Sequence, residues 1–322
     1  MLPDDTLLEI FDFYKDDLFY RGPFRTWRRM TMAQIRRRWR NIIFESPRRL
    51  DLRVLCTNTT PTRTSLSVWP PFPISVHCEL MHWAMDEKGS LNIIAAFEHS
   101  GRISDVDIMD VDGSTLEKLT AVMQRPFPIL RYFRLSSCEE SVPVIPETCL
   151  GGSSPRLEKF ILSGIPFPSF PKFVFSATQI ADLTLLDIPN SGYISPEAMA
   201  TCLAALPALG LLSIGFRSPL SRPIQITPPP RTRSVLPAHF RLHFHGVSEY
   251  LEDFVARIET PLLGELHVVL FMDLIFHISQ LHDFIRRTER LIMPCNQAYM
   301  EFMLNLGCAK GRAQRTHAVV CR

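Results

Sequence analysis

A three-position pattern of apolar residues repeats seven times between residues 103 and 268 of the chain. Within each copy the residues stand at positions 1, 4 and 6, and successive copies begin 23 to 30 residues apart. Positions 4 and 6 lie on one face of a β-strand, because side chains alternate along a strand. A repeat of this length indicates stacked units that share one core. The copies are Ile103/Val106/Ile108, Leu130/Phe133/Leu135, Leu157/Phe160/Leu162, Ile180/Leu183/Leu185, Leu209/Leu212/Ile214, His239/Leu242/Phe244 and Leu263/Leu266/Val268.

Helix signals occupy the stretches between these predicted strands. Ser114 and Glu117 have the spacing of a capping box, Ser195 precedes Pro196 at a helix start, and Ser248 precedes a further amphipathic run. Residues 278–287 repeat this design. The sequence therefore predicts an α/β fold, in which a curved parallel sheet of about seven strands is backed by helices.

The first 50 residues follow a different pattern. Asp4 and Asp5 precede apolar residues at helical spacing, and a second helical run ends before Pro47. Two helices of this length cannot bury their apolar faces by themselves, so a partner or the rest of the chain must cover them. We divide the chain into a helical segment (1–50), a linker with the first strand and capping region (51–100), a repeat region (101–290) and a tail (291–322) that we expect to be poorly ordered.

Composition narrows the class of protein. The chain has 322 residues and a net charge of +2, which does not by itself indicate a polyanionic partner. Its eight cysteines form no C-x-x-C pair, so we expect reduced thiols, no zinc site and a cytoplasmic or nuclear location. Residues 198–216 carry no charge, but Pro207 interrupts them, and we interpret them as a helix followed by a strand and not as a membrane span.

The N-terminal residues resemble those of a known family. Leu2-Pro3-Asp4-Asp5 with Leu7-Leu8 and Ile10-Phe11 is similar to the opening of an F-box, and Trp39-Arg40-Asn41-Ile42-Ile43-Phe44 is similar to its closing helix. The segment 46–52 and Trp69-Pro70 resemble the F-box families of mushroom-forming fungi. In those families irregular leucine-rich repeats follow the F-box, and the spacing of the repeats here, close to the usual range of roughly 20–29 residues, agrees with that. The resemblance extends to about residue 290.

The resemblance implies recruitment and not catalysis. An F-box docks on a Skp-type adaptor, and through it on a cullin, while the repeats select a protein substrate for ubiquitination. The implied adaptor-binding residues are Leu2, Pro3, Leu7, Leu8, Ile10, Phe11, Ile35, Trp39 and Ile42. Two alternatives stay open: a repeat-based scaffold with a decayed F-box, and a nucleic-acid binder that uses the eight arginines at 21, 25, 28, 29, 36, 37, 38 and 40. We favour a solvated helix face for these arginines.

The polar positions of the predicted strands suggest where a substrate would bind. Side chains between the buried positions project from the opposite face of the sheet, which solenoids commonly use for binding. The candidates are Tyr132, Arg134, Lys159, Asp182, Arg241, His243 and His267. The alignment also brings His243 near His267, with His245 on the same face, but we prefer a polar binding surface to a metal site. We find no motif for a catalytic site, a cofactor or a phosphate loop, and predict none.

Overall fold

The structure is a computed structural model that describes residues 3–13, 37–45, 52–79, 86–139, 141–167, 172–218, 232–239, 241–271, 279–288, 297–303 and 316–321. These residues form thirteen strands and nine α-helices, joined in places by short 3₁₀ turns. The strands are β1 (Val54–Thr57), β2 (Ile74–Glu79), β3 (Ile103–Met109), β4 (Tyr132–Ser136), β5 (Lys159–Ser163), β6 (Asp182–Ile188), β7 (Leu211–Phe216), β8 (Ser234–Val235), β9 (Arg241–Gly246), β10 (Ile258–Glu259), β11 (Glu265–Phe271), β12 (Gln297–Met303) and β13 (Thr316–Cys321). The helices are α1 (Asp4–Phe13), α2 (Arg37–Glu45), α3 (Thr62–Val68), α4 (Glu87–Phe97), α5 (Gly113–Val122), α6 (Lys172–Ser176), α7 (Pro196–Ala204), α8 (Ser248–Arg257) and α9 (Ser279–Arg287).

Eleven strands form one sheet whose order follows the chain. The order is β1-β2-β3-β4-β5-β6-β7-β9-β11-β12-β13, and β8 pairs separately with β10. Neighbours from β1 to β12 are parallel, whereas β12 and β13 are antiparallel. Because each strand pairs with the next one along the chain, the helices between them return the chain on one side of the sheet. The fold is therefore α/β and solenoid-like, as the repeat predicts.

The register of the strands confirms the repeat residue by residue. Position 4 of each copy pairs with position 4 of the next, from Val106 on β3 to Leu266 on β11, and position 6 does the same from Ile108 to Val268. None of these fourteen side chains is more than 2% exposed. Position 1 is equally buried in all seven copies, including the sixth, where His239 replaces an aliphatic residue. The sequence pattern therefore marks the residues that form the core.

Aromatic contacts join the buried face of the sheet to its helices. Phe160 on β5 stacks on Phe133 of β4 at 5.5 Å between ring centroids, and meets Phe173 of α6 edge-on at 5.1 Å. On β9, Phe244 stacks on Tyr250 of α8 at 5.8 Å. Edge-on and offset rings gain energy beyond their buried area, so these contacts stabilise the helices against the sheet.

Two of the predicted helix caps are wrong and one is confirmed. Ser195 caps α7, since its hydroxyl accepts a hydrogen bond from the backbone N–H of Ala198 at 3.2 Å. At α5 the cap is Asp112, whose carboxylate accepts from the N–H of Thr115 at 2.8 Å, and Ser114 lies inside the helix instead. At α8 the cap position is Val247, which provides no side-chain hydrogen bond.

Replacing Asp112 with alanine should destabilise the protein by about 1 kcal/mol at neutral pH, because the first turn of α5 loses its acceptor. Burial acts to raise the pKa of Asp112, but hydrogen bonds from Ser114 and Thr115 outweigh it and the pKa is lowered. The carboxylate therefore stabilises the fold at neutral pH, and this contribution is lost as the pH falls through its lowered pKa. Urea unfolding at pH 7 and pH 3 measures both effects. Ser114→Ala is the matched control, and its free energy of unfolding should fall by only a few tenths of the loss seen in Asp112→Ala. An equal loss in the two variants would contradict the assignment of Asp112 as the cap.

The regions outside the repeat carry more strands than the sequence indicates. β1 and β2 extend the sheet into the predicted linker, where Val76 and Cys78 pair with Val106 and Ile108 of β3. The tail, expected to be poorly ordered, contains β12 and β13. The uncharged run 198–216 forms α7 and then β7, as predicted. Among the residues described, no helix is both long enough and apolar enough to span a membrane.

Candidate functional site

The face of the sheet that points away from the helices, here called the open face, carries two rows of polar side chains. One row runs Ser75, Asp105, Tyr132, Lys159, Asp182, Leu211, Arg241, Glu265, and the second His77, Asp107, Arg134, Ile161, Thr184, Ser213, His243, His267. All seven substrate-binding candidates from the sequence lie in these rows. Neighbouring strands stand roughly 4.8 Å apart, so side chains in one row are close enough to form ion pairs.

The first strands of the open face hold a network of charges around two aspartates. Arg53, just before β1, pairs with Asp105, which also accepts a hydrogen bond from the hydroxyl of Ser104 at 2.6 Å. Asp107 lies between His77 Nδ1 and Arg134 Nε, each at 3.9 Å. The sequence analysis did not identify Arg53 or His77. The apolar pair Val76 and Cys78, which repeats positions 4 and 6, is the signal that would have located β2 and its histidine.

Tyr132 lies among these charges on β4. Burial and, secondarily, the negative charge of Asp107 raise the pKa of its hydroxyl to about 12. Both effects disfavour a phenolate. At neutral pH Tyr132 therefore keeps its proton, and its hydroxyl accepts a hydrogen bond from Arg134 within the charged part of the open face.

Ion pairs recur on β5 and β6, and again on β9 and β11. Lys159 Nζ lies 2.5 Å from Asp182 Oδ2. Glu265 receives two partners, because Arg241 Nε approaches one of its oxygens at 3.0 Å and His243 Nε2 approaches the other at 3.1 Å. A row of alternating charges on adjacent strands stabilises the sheet by a few tenths of a kcal/mol per exposed pair, and it also presents polar groups to a binding partner.

The histidines of β9 and β11 lie where the repeat predicts. The rings of His243 and His267 meet edge-on at 5.7 Å between centroids. His245 instead packs on Phe271, with ring centroids 4.6 Å apart, and burial lowers its pKa. Within the described part of the chain, no group of three His, Cys, Asp or Glu side chains has a geometry that could hold a metal ion.

The adaptor-binding candidates fall into groups with different exposure. Pro3 and Ile10 are exposed on or beside α1, whereas Leu7 and Leu8 of the same helix are buried in the core. On α2, Ile42 is buried and Trp39 is half-buried against the same core. Phe11 lies in α1, and Leu2 and Ile35 lie outside the described residues. Of the candidates whose side chains the structure describes, Pro3 and Ile10 are therefore the exposed ones.

Helices α1 and α2 contact each other and the segment between β1 and β2. Arg38 of α2 donates from Nε to Asp4 of α1 at 3.1 Å. Phe44 of α2 meets Trp69 and Phe72 edge-on, with ring centroids 5.8 Å and 5.4 Å apart. Of the eight arginines counted in the sequence, only those at 37, 38 and 40 lie within the described residues. The Arg38 contact gives one of these arginines a structural role between the two helices.

Five cysteines of the described part of the chain are free thiols. Cys56, Cys78, Cys149 and Cys202 are buried, and burial raises the pKa of each thiol. Cys138 is exposed, but its pKa is also raised, mainly because its thiol donates a hydrogen bond to Asp110 at 2.9 Å. Raised pKa values disfavour the thiolate, which is the nucleophilic form, so none of these five residues has the environment of a catalytic cysteine.

In comparisons with known proteins, the chain matches no family model, no curated protein and no solved structure. Its described residues form a sheet that is parallel from β1 to β12, with two short helices at its N-terminal end and a largely polar open face.

Proposed function

We propose that this protein is a non-catalytic substrate-recognition subunit of a Skp-cullin-F-box ubiquitin ligase. Helices α1 and α2 act as the F-box and dock on a Skp-type adaptor, and the open face of the leucine-rich-repeat-like sheet binds a protein substrate. The protein then acts by raising the local concentration of substrate near the ubiquitin carrier. It needs no cofactor and no catalytic residue for this role.

The observation that carries the proposal is the attachment of α1 and α2 to the sheet. Leu8 and Ile42 share a continuous core with the strands, and Phe44 packs against Trp69 and Phe72, which lie just before β2. A docking segment fixed in this way holds its partner at a defined position relative to the open face, whereas a flexible linker would not. Fixed geometry is what a receptor needs in order to present a substrate to a distant active site.

A second candidate function is an interaction scaffold that retains the helices but has no ubiquitin role. The observation that favours it is the inward orientation of Leu7, Leu8 and Ile42, which are at most 9% exposed. Three of the residues that the F-box resemblance assigns to the adaptor thus stabilise the chain itself. In that case α1 and α2 cap the N-terminal end of the core, as terminal units of repeat proteins do.

Co-expression with a Skp-type adaptor, followed by size-exclusion chromatography, separates the two functions. We expect a one-to-one complex with the wild-type chain. Ile10→Asp should weaken it at least tenfold, because Ile10 is exposed on α1 and a charge there would be buried at the interface. Leu91→Asp is the matched control, since Leu91 is an exposed apolar residue on α4, away from the proposed dock.

The outcomes are distinct. A complex that Ile10→Asp abolishes and Leu91→Asp preserves supports the ligase subunit. If the folded wild-type chain forms no complex, the ligase proposal fails and the scaffold takes its place. If both variants weaken the complex equally, the adaptor does not bind through α1. Circular dichroism of each variant checks that its fold is retained.

A further inference from the structure

In two ion pairs on the open face the cationic side chain projects further into solvent than the carboxylate that pairs with it. The side chain of Arg134 is 39% exposed and that of its partner Asp107 is 16% exposed. Lys159 and Asp182 show the same difference, with 41% and 18%. An aspartate ends one methylene from the backbone, whereas lysine and arginine extend their charged ends on long stems. At these two pairs a partner that approaches the open face therefore meets the cationic group first.

The last strands of the open face add a second cationic position. Arg241 is 47% exposed, and it shares the single carboxylate of Glu265 with His243. A guanidinium has five N–H donors, and an ammonium has three. Lys159 and Arg241 stay 41% and 47% exposed while they are paired, and Arg134 stays 39% exposed, so each cation can approach a carboxylate of a partner while it keeps its own pair.

The cations stand at a spacing that an extended peptide can match. Arg134 and Lys159 are on the adjacent strands β4 and β5, and Arg241 is on β9, three strands beyond β5 in the sheet. At roughly 4.8 Å per strand this places the two cationic positions about 14 Å apart. An extended peptide that crosses the strands advances about 3.4 Å per residue, so about four residues connect the two positions. Between them on β6 and β7 lie Asp182, which pairs with Lys159, and the uncharged side chains Thr184, Leu211 and Ser213.

We infer that the open face binds an acidic peptide segment, with carboxylates that reach Arg134 and Lys159 at one point and Arg241 about four residues away. This inference rests on the proposed function, because the segment would be the part of the substrate that the receptor recognises. A peptide fits better than a nucleic acid. Asp182 lies between the cations, and Asp107 and Glu265 flank them on β3 and β11. These carboxylates would repel a continuous row of phosphates, whereas separated carboxylates of a peptide can avoid them.

Selection from a display library of random twelve-residue peptides on the full chain tests the inference. We expect enriched peptides to carry net negative charge, with two acidic positions about four residues apart. The leading peptide, made synthetically, should bind Arg134→Gln/Lys159→Gln/Arg241→Gln about tenfold more weakly, since each exposed pair contributes modestly. The matched control is Lys88→Gln/Lys118→Gln/Arg286→Gln, which removes three exposed cations from the helix side and should leave the affinity unchanged.

Two results would overturn the inference. One is an enriched set with no excess of Asp and Glu, and the other is an equal loss of affinity in the two triple variants. A single-stranded oligonucleotide of twenty nucleotides serves as a parallel probe; if it binds through the same cations and no acidic peptide does, the partner is a nucleic acid instead. Adaptor binding by the triple variants is measured separately. If acidic peptides bind but no adaptor complex forms, the peptide-binding surface is supported and only the ligase role is contradicted.

Discussion

Replacing Gly164 with alanine should destabilise the protein by about 3 kcal/mol or more. Gly164 follows β5 with a φ of +71°, and a Cβ at this position would lie 2.0 Å from the backbone carbonyl oxygen of Ser137. The backbone cannot shift away easily, since the N–H of Gly164 donates to the carbonyl of Leu186 at 2.9 Å. Left-handed strain and a backbone clash act together, and both appear among the causes of unusually large losses of stability. The shift in the urea midpoint measures the loss.

Gly101→Ala is the control for this prediction. Gly101 lies in a 3₁₀ turn before β3, and a Cβ there would meet no atom within 4 Å. The substitution should leave stability unchanged or raise it slightly, because alanine reduces the freedom of the unfolded chain. If Gly164→Ala were as stable as Gly101→Ala, the close approach between Gly164 after β5 and Ser137 after β4 would be incorrect.

Replacing His239 with leucine should stabilise the protein by about 2 kcal/mol at neutral pH. His239 occupies position 1 of the sixth repeat, where the other six copies have Ile or Leu. It is fully buried, and neither of its ring nitrogens has a hydrogen-bond partner. An unsatisfied buried polar group costs about 1–3 kcal/mol, which an aliphatic residue of similar size would recover. Thermal and urea unfolding at pH 7.5 measure the gain.

The same histidine should also make stability depend on pH. Burial lowers the pKa of His239 to about 4, below the ordinary value of 6.5. Between these two values the unfolded chain binds more protons than the folded chain, so the free energy of unfolding falls as the pH falls. The slope approaches about 1.4 kcal/mol per pH unit, and the advantage of His239→Leu over the wild type should therefore grow by up to about 3 kcal/mol near pH 4.

His239→Gln distinguishes the two effects. Glutamine is polar and does not titrate, so it should remove this part of the pH dependence without the gain that leucine gives at pH 7.5. If the wild type and both variants lost stability in parallel between pH 6.5 and 4, His239 would not be the group responsible. A leucine variant less stable than the wild type at pH 7.5 would show that the site favours an imidazole.

The repeat could be predicted because it depends on the periodic burial of single residues. Fourteen apolar residues at positions 4 and 6 identify seven strands and their register, since a shift by one residue would expose every buried side chain. His239 fits the repeat by spacing although not by residue type, and only its neighbours in the fold show that its nitrogens are unpartnered. The sequence predicts a first strand within residues 51–100 but not its bounds, and the structure forms both β1 and β2 there.

Features at element ends could not be predicted in the same way. Asp112 caps α5 although Ser114 has capping-box spacing with Glu117; aspartate and serine are equally good caps, so the local pattern alone does not choose between them. The tail carries β12 and β13 without a repeat signal, since the sheet provides a pairing edge that the sequence does not show. Only the packing of α1 and α2 on the rest of the fold separates the candidate docking residues into exposed Ile10 and buried Leu7, Leu8 and Ile42.

By itself, the amino-acid sequence determined the class of the fold, the order of the seven central strands and the side chains that share the open face. These follow from periodicity, which is local and additive along the chain. Tertiary structure alone decided which of the charged side chains on that face project into solvent. The exposure of Arg134 and Lys159 over Asp107 and Asp182 depends on side-chain length and on pairing between strands whose residues are more than 20 positions apart in sequence, and no local pattern encodes that.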